Sequence, residues 1–108
     1  MNQVDRFSYL LHLAIADKIR ADGQRVIERA RENIDRWLAS GRFKYGAELV
    51  LFEWRRILDG STPDEIIRLI TEQTDEGQRL RSSTPFTGIL TSAQREEIWS
   101  QCAEVGFV

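Results

Sequence analysis

Apolar residues recur at helical spacing along almost the whole chain, and the runs are separated by Asp-Gly, Gly and Thr-Pro steps. Placed at 100° per residue, Val4, Phe7, Leu10, Leu11, Ala14, Ile15 and Ile19 share one side of a helix over 4–21. Tyr9, His12 and Leu13 fall toward the other side, so this helix is apolar over a wider arc than usual. Asp22-Gly23 breaks it. Asp22 then serves as N-cap of a second helix over 22–40, with Val26, Ile27, Ala30, Ile34, Trp37 and Leu38 on one stripe, charges elsewhere, and Gly41 as its stop.

A third helix over 44–59 has its main stripe on Ala47, Val50, Leu51, Trp54, Ile57 and Leu58. Thr62-Pro63-Asp64-Glu65 opens a fourth over 62–73: Thr62 caps, Pro63 takes the first helical position, and the two carboxylates suit the positive end of the helix dipole. Its buried face is Ile66, Ile67, Leu69 and Ile70. Thr74 starts a short helix over 74–82 carrying Leu80 and interrupted by Gly77. Thr91 with Gln94 three residues on forms a capping box for a last helix over 91–104 with Ile98, Trp99 and Cys102. Between these two lies a loop, 83–90. The pattern predicts an all-α single domain over 1–108, a bundle of five or six helices with no significant sheet.

Composition narrows the class. A chain of 108 residues with 42% apolar and 30% charged residues is globular. Net charge is −2, but residues 1–60 hold 11 Lys/Arg against 9 Asp/Glu and residues 61–108 hold 4 against 8. That asymmetry is mild beside the basic balance of a domain that relies on phosphate contacts, so nucleic acid is demoted as a partner. One cysteine, Cys102, excludes an internal disulfide and a cysteine metal site, and fits a cytoplasmic setting. No run is long enough to span a membrane, and the N-terminal stretch lacks the uninterrupted apolar run of a signal peptide.

Candidate chemistry is sparse. His12 is the only histidine, and no nucleophile elbow, phosphate-binding glycine loop or zinc spacing accompanies it. No catalytic residue, metal or cofactor is therefore assigned, and a small enzyme using His12 or clustered carboxylates stays as an alternative. Arg25, Arg29 and Arg36 project within about 40° of one another, a row able to straddle phosphates in a helical DNA-binding regulator. Glu32 interrupts the row, and Glu28 and Asp35 stand close by, which favours a salt-bridged solvated face.

Two segments carry apolar groups that local structure does not explain. Tyr45, Leu49, Phe52 and Arg56 lie opposite the core stripe of the third helix. A helix apolar all round is usually buried, so the centre of the bundle is the favoured place for that stripe, with an exposed partner-binding face as the alternative. The loop is the second. Thr84-Pro85-Phe86-Thr87 followed by Gly88 fits a turn with proline in its second position. One account is a strap carrying the chain into the last helix; the other is a docking loop anchored by Phe86, with Arg79, Arg81, Ser83 and Pro85 around it.

LHLAIADKIR, VIERARENIDRWL and EWRRIL, with RSSTPFTGIL and TSAQREEIW near the end, give the chain a resemblance to small, poorly characterised bacterial antitoxin-like proteins. The resemblance implies a cytoplasmic binding protein whose partner is a co-encoded enzyme, neutralised by occlusion. It brings no residue with a known chemical role. A homodimer through the second stripe of the third helix is a further possibility.

Overall fold

The computed structural model describes residues 2–106, with side chains as far as residue 102. Five helices follow one another: α1 (Gln3–Ala39), α2 (Leu49–Gly60), α3 (Pro63–Thr71), α4 (Asp75–Ser82) and α5 (Ser92–Gly106). No strand occurs among the described residues.

The helices predicted over 4–21 and 22–40 run on as one α1, broken only at Asp22, whose φ of −157° and ψ of 74° are not helical. The Asp22 carboxylate accepts the Arg25 N–H at 3.4 Å, so the residue caps the second half. A straight helix of 37 residues would measure about 55 Å. The whole molecule extends 42 Å along its longest axis. The break therefore bends α1 around the core, and α1 touches each of the other four helices.

The core runs from Ile15, Ala16 and Ile19, across the break to Val26, Ile27, Ala30 and Ile34. Leu51, Trp54 and Leu58 of α2, Ile66, Ile67 and Ile70 of α3, and Leu80 of α4 close it. Each large aliphatic contributes about 1.5–3 kcal/mol through burial. Trp54 is fully enclosed, and its indole N–H donates to the Leu80 carbonyl at 3.1 Å, so the ring is buried without an orphaned donor.

The caps form where the sequence places them. Thr62 and Glu65 exchange hydrogen bonds of 3.2 Å in a capping box, Thr74 accepts the Gly77 N–H at 3.0 Å, and Thr91 and Gln94 bond reciprocally at 2.8 and 3.1 Å. Three expectations need correction. The inward face of the first half of α1 is rotated: His12 points into the core, and Val4 is 69% exposed. α2 begins at Leu49 rather than 44, because Tyr45 (φ 58°) and Gly46 (φ 95°) adopt left-handed conformations that a helix cannot include. Gly77 does not interrupt α4; a β-carbon there would collide with the Glu72 carbonyl oxygen, so glycine is what lets the helix start against that strand of backbone.

Candidate functional site

The loop over 83–90 is built inward. Phe86 is 3% exposed, and its ring meets Trp54 edge-on with centroids 5.7 Å apart. Pro85 is enclosed beside it. Asn33, fully buried on α1, donates both amide hydrogens to this segment, to Pro85 O at 2.9 Å and Thr87 O at 2.8 Å. Its own oxygen accepts from Arg36 Nη2 at 2.7 Å. The anchor predicted for a docking loop is thus a core side chain, since burial against Trp54 outweighs any use of the ring in solvent.

His12 makes the other tie. The Ser8 carbonyl can only accept, so Nδ1 carries the proton that bridges them at 2.7 Å. Nε2 is then an acceptor for the Thr84 hydroxyl at 2.8 Å, and Thr84 Oγ1 in turn accepts the Phe86 N–H at 3.2 Å. Burial pushes the His12 pKa down to about 4, with the nearby Arg81 charge acting in the same direction against the Ser8 bond. A hydroxyl bonded to a neutral imidazole is the arrangement of an activated nucleophile. At 1% exposure, however, His12 fastens the strap to α1, and it lines none of the surface clefts described below.

The cations around the loop are also engaged. Arg81, 2% exposed, donates through Nη1 to Ile70 O at 3.3 Å and Glu72 O at 2.7 Å, and its guanidinium lies 5.1 Å from the centroid of the Tyr9 ring. Loss of solvation pulls its pKa below the ordinary arginine value. Arg79 grips both carboxylate oxygens of Glu53, at 2.9 and 2.7 Å, and also pairs with Glu76. These bonds raise the pKa of Arg79 and lower those of Glu53 and Glu76. The Ser83 hydroxyl donates to Leu80 O at 3.4 Å. Of the residues grouped around Phe86, only Arg79 is exposed, and it is ion-paired.

The second predicted element behaves oppositely. Leu49 is 67% exposed, Phe52 51% and Tyr45 fully exposed, while Arg56 continues the same row one turn on. The favoured burial of this stripe in the bundle centre is therefore corrected: α2 packs through Leu51, Trp54 and Leu58 on one side only. Tyr45 belongs to the turn before α2, and its left-handed backbone costs about 1–3 kcal/mol in a residue with a side chain.

Charge surrounds this row asymmetrically. Arg42, Lys44 and Arg56 are exposed, and none forms an ion pair among the described residues. Of the nearby acids, Glu53 is held by Arg79, while Glu48 turns back to accept the Gly46 N–H at 3.2 Å. Arg42 and Lys44 were not singled out from sequence. Their only signal there is their place on either side of Phe43 in the turn that displays Tyr45.

The arginine row of α1 does not stay together. Arg36 is drawn to Asn33. Arg25 and Arg29 line a groove of about 510 Å³ at the Asp22 break, with Lys18 and with the carboxylates of Asp22, Glu28 and Glu32 interleaved. A second cleft, about 560 Å³, lies along Phe7, Arg95 and Trp99, where the two rings meet edge-on at 5.0 Å. A third, about 490 Å³, borders Ala14, Leu90 and Ile98. Among the described residues no three His, Cys, Asp or Glu side chains converge as a metal site, and no helix is long and apolar enough to cross a membrane.

No family model, no curated protein and no solved structure matches this chain.

Proposed function

We propose that this chain is a protein-binding module that docks its partner on the outer face of α2, acting as an antitoxin-like neutraliser of a co-encoded bacterial enzyme by occluding it. The observation that carries the reading is the exposure of Leu49 and Phe52 on one face of α2, with Tyr45 in the turn before it, three large apolar side chains left in solvent on a chain whose remaining apolar residues mostly enter one core. Aromatic and arginine side chains in such a row are what interface anchors are made of. The neutraliser role draws on the resemblance of the sequence to antitoxin-like proteins.

Co-expression with the product of the adjacent gene tests both parts. The wild type is expected to co-purify with that enzyme and suppress its activity. A Leu49→Ser, Phe52→Ser variant with an unchanged melting temperature should do neither, and full capture by that variant would overturn the reading. A DNA-binding regulator is a second reading, favoured by the gathering of Lys18, Arg25 and Arg29 at one groove. The interleaved carboxylates weaken it. Absence of duplex binding at low salt below about 10⁻⁴ M, the weak end of non-specific affinity, would dispose of it.

A further inference from the structure

Resting on the reading of the α2 face as a docking surface, we infer that its occupant is an acidic amphipathic segment of a different protein, an apolar ridge edged by carboxylates, and not a second copy of this chain. The argument is one of charge placement. The row Tyr45, Leu49 and Phe52 has cations at both ends, Arg42 and Lys44 in the turn before it and Arg56 after it. Of the acids nearby, Glu53 is taken by Arg79, and Glu48, which accepts the Gly46 N–H, is the one carboxylate of the turn that no arginine grips. Three exposed cations against that one carboxylate leave the rim with an excess of positive charge around an apolar centre. Complementary potentials steer encounter and fix register, and like charges brought together oppose association.

Symmetry sets the same excess of charge against the obvious alternative. In a two-fold dimer the same patch meets itself. Were two α2 helices to pair antiparallel, Arg56 of one copy would lie beside Arg42 and Lys44 of the other. Paired parallel, each cation would face its own equivalent. Both arrangements bring cations against cations, with Glu48 the one carboxylate nearby that no arginine holds. A partner bearing Glu or Asp along both edges of an apolar ridge satisfies the rim in either direction.

The size of the patch also points to a segment. Tyr45, Leu49 and Phe52 together offer on the order of 400 Å² of accessible surface. That is about half of what one side of a standard stable interface buries. It suits an anchor cluster that grips a helix or extended segment, a mode in which apolar residues at i, i+3, i+4 and i+7 enter the site.

The test uses two labelled helix-forming peptides on the full chain, followed by fluorescence anisotropy. Both carry Leu and Phe along one stripe; one has glutamates on its flanks, its twin lysines. The acidic peptide is expected to bind at least about tenfold more tightly than the twin. It should weaken several-fold when salt is raised from about 50 to about 500 mM, because the rim is exposed to screening. Lys44→Glu combined with Arg56→Glu should reverse the preference. Equal binding of the twins, no binding of either below about 1 mM, or a concentration-dependent dimer in sedimentation would each overturn the inference. The Leu49→Ser, Phe52→Ser variant separates the two levels. If both twins bind wild type equally and neither binds the variant, the docking face stands and the acidic partner falls. If the acidic peptide binds the variant as tightly as the wild type, the docking face itself is wrong.

Discussion

Acidifying the solution from about pH 8 to about 5.5 should weaken the fold through a single side chain. His12 is buried as a neutral base with a pKa of about 4 against an ordinary 6.5. The unfolded chain takes up a proton as pH falls below 6.5, while the folded chain refuses it until pH approaches 4. Stability therefore falls with pH inside that window, is fully present above it, and levels off below it. At 1.36 kcal/mol per pH unit, the gap bounds the total loss at about 3 kcal/mol. Near pH 5.5 the loss is about 1.4 kcal/mol. With a urea slope of about 1–3 kcal/mol per molar, the unfolding midpoint should drop by roughly 1 M.

The window is clean. His12 is the only histidine. The carboxyls held low, Glu53, Glu65 and Glu76, are ionised in both states above their ordinary 4.5, so the stability they add is lost only at lower pH. Urea titrations at the two pH values, repeated on His12→Gln, isolate the effect. The variant can keep a hydrogen bond to the strap and cannot titrate, so its midpoint should hold steady over this range even if it begins lower. The Cε1 proton resonance of His12 should titrate near 4. A folded-state titration near 6.5, or an equal pH slope in wild type and His12→Gln, would refute the account of the buried tie.

Three further outcomes follow from the packing. Phe86→Ala should cost about 3–5 kcal/mol in urea unfolding, since the ring lies in the core against Trp54; a near-native midpoint would return the loop to the surface. Gly77→Ala should destabilise by about 1–3 kcal/mol because its β-carbon meets backbone that cannot swing aside, whereas Gly60→Ala, with nothing close to its β-carbon, should be neutral or gain up to about 1 kcal/mol. Tyr45→Gly should leave stability unchanged or raise it by up to about 2 kcal/mol, since relief of the left-handed backbone matches or exceeds the roughly 1 kcal/mol set by the freer unfolded chain, while partner docking is weakened; unimpaired docking would remove Tyr45 from the surface.

What was legible in the sequence is what is decided within a turn or two of helix. Thr62 with Glu65, Thr74, Thr91 with Gln94 and Asp22 all act on N–H groups three residues away, so their caps follow from spacing alone. The apolar stripes of the second half of α1, of α2 and of α3 follow from the same period. What was not legible lies in contacts between residues far apart in the chain. Nothing local says that Asn33 will hold the carbonyls of Pro85 and Thr87, or that His12 will meet Thr84. These two polar residues sit on faces that a hydrophobic pattern assigns to solvent or leaves blank. Once they are turned inward, the front of α1 rotates and Val4 is left outside. Tyr45 was misplaced for a different reason: its apolar periodicity with Leu49 continues through a turn that Gly46 has already taken out of the helix.

These two kinds of contact also decide which surface is available to a partner. A docking site needs groups whose interactions are not already taken, because a side chain committed to the fold must be released at a cost before it can bind. Around Phe86 nearly everything is committed: the ring to Trp54, the carbonyls of Pro85 and Thr87 to Asn33, the Thr84 hydroxyl to His12, and Arg81 to carbonyls of α3 and the residue after it. Around Leu49 and Phe52 the reverse holds, with apolar surface and three cations that the fold does not use. The stretch with the more conspicuous composition is thus the one that enters the core, where Phe86 packs on Trp54 of α2. Trp54 links the strap to α2, so a change that loosens the strap should disturb the proposed docking face by way of Trp54 without touching any residue of it.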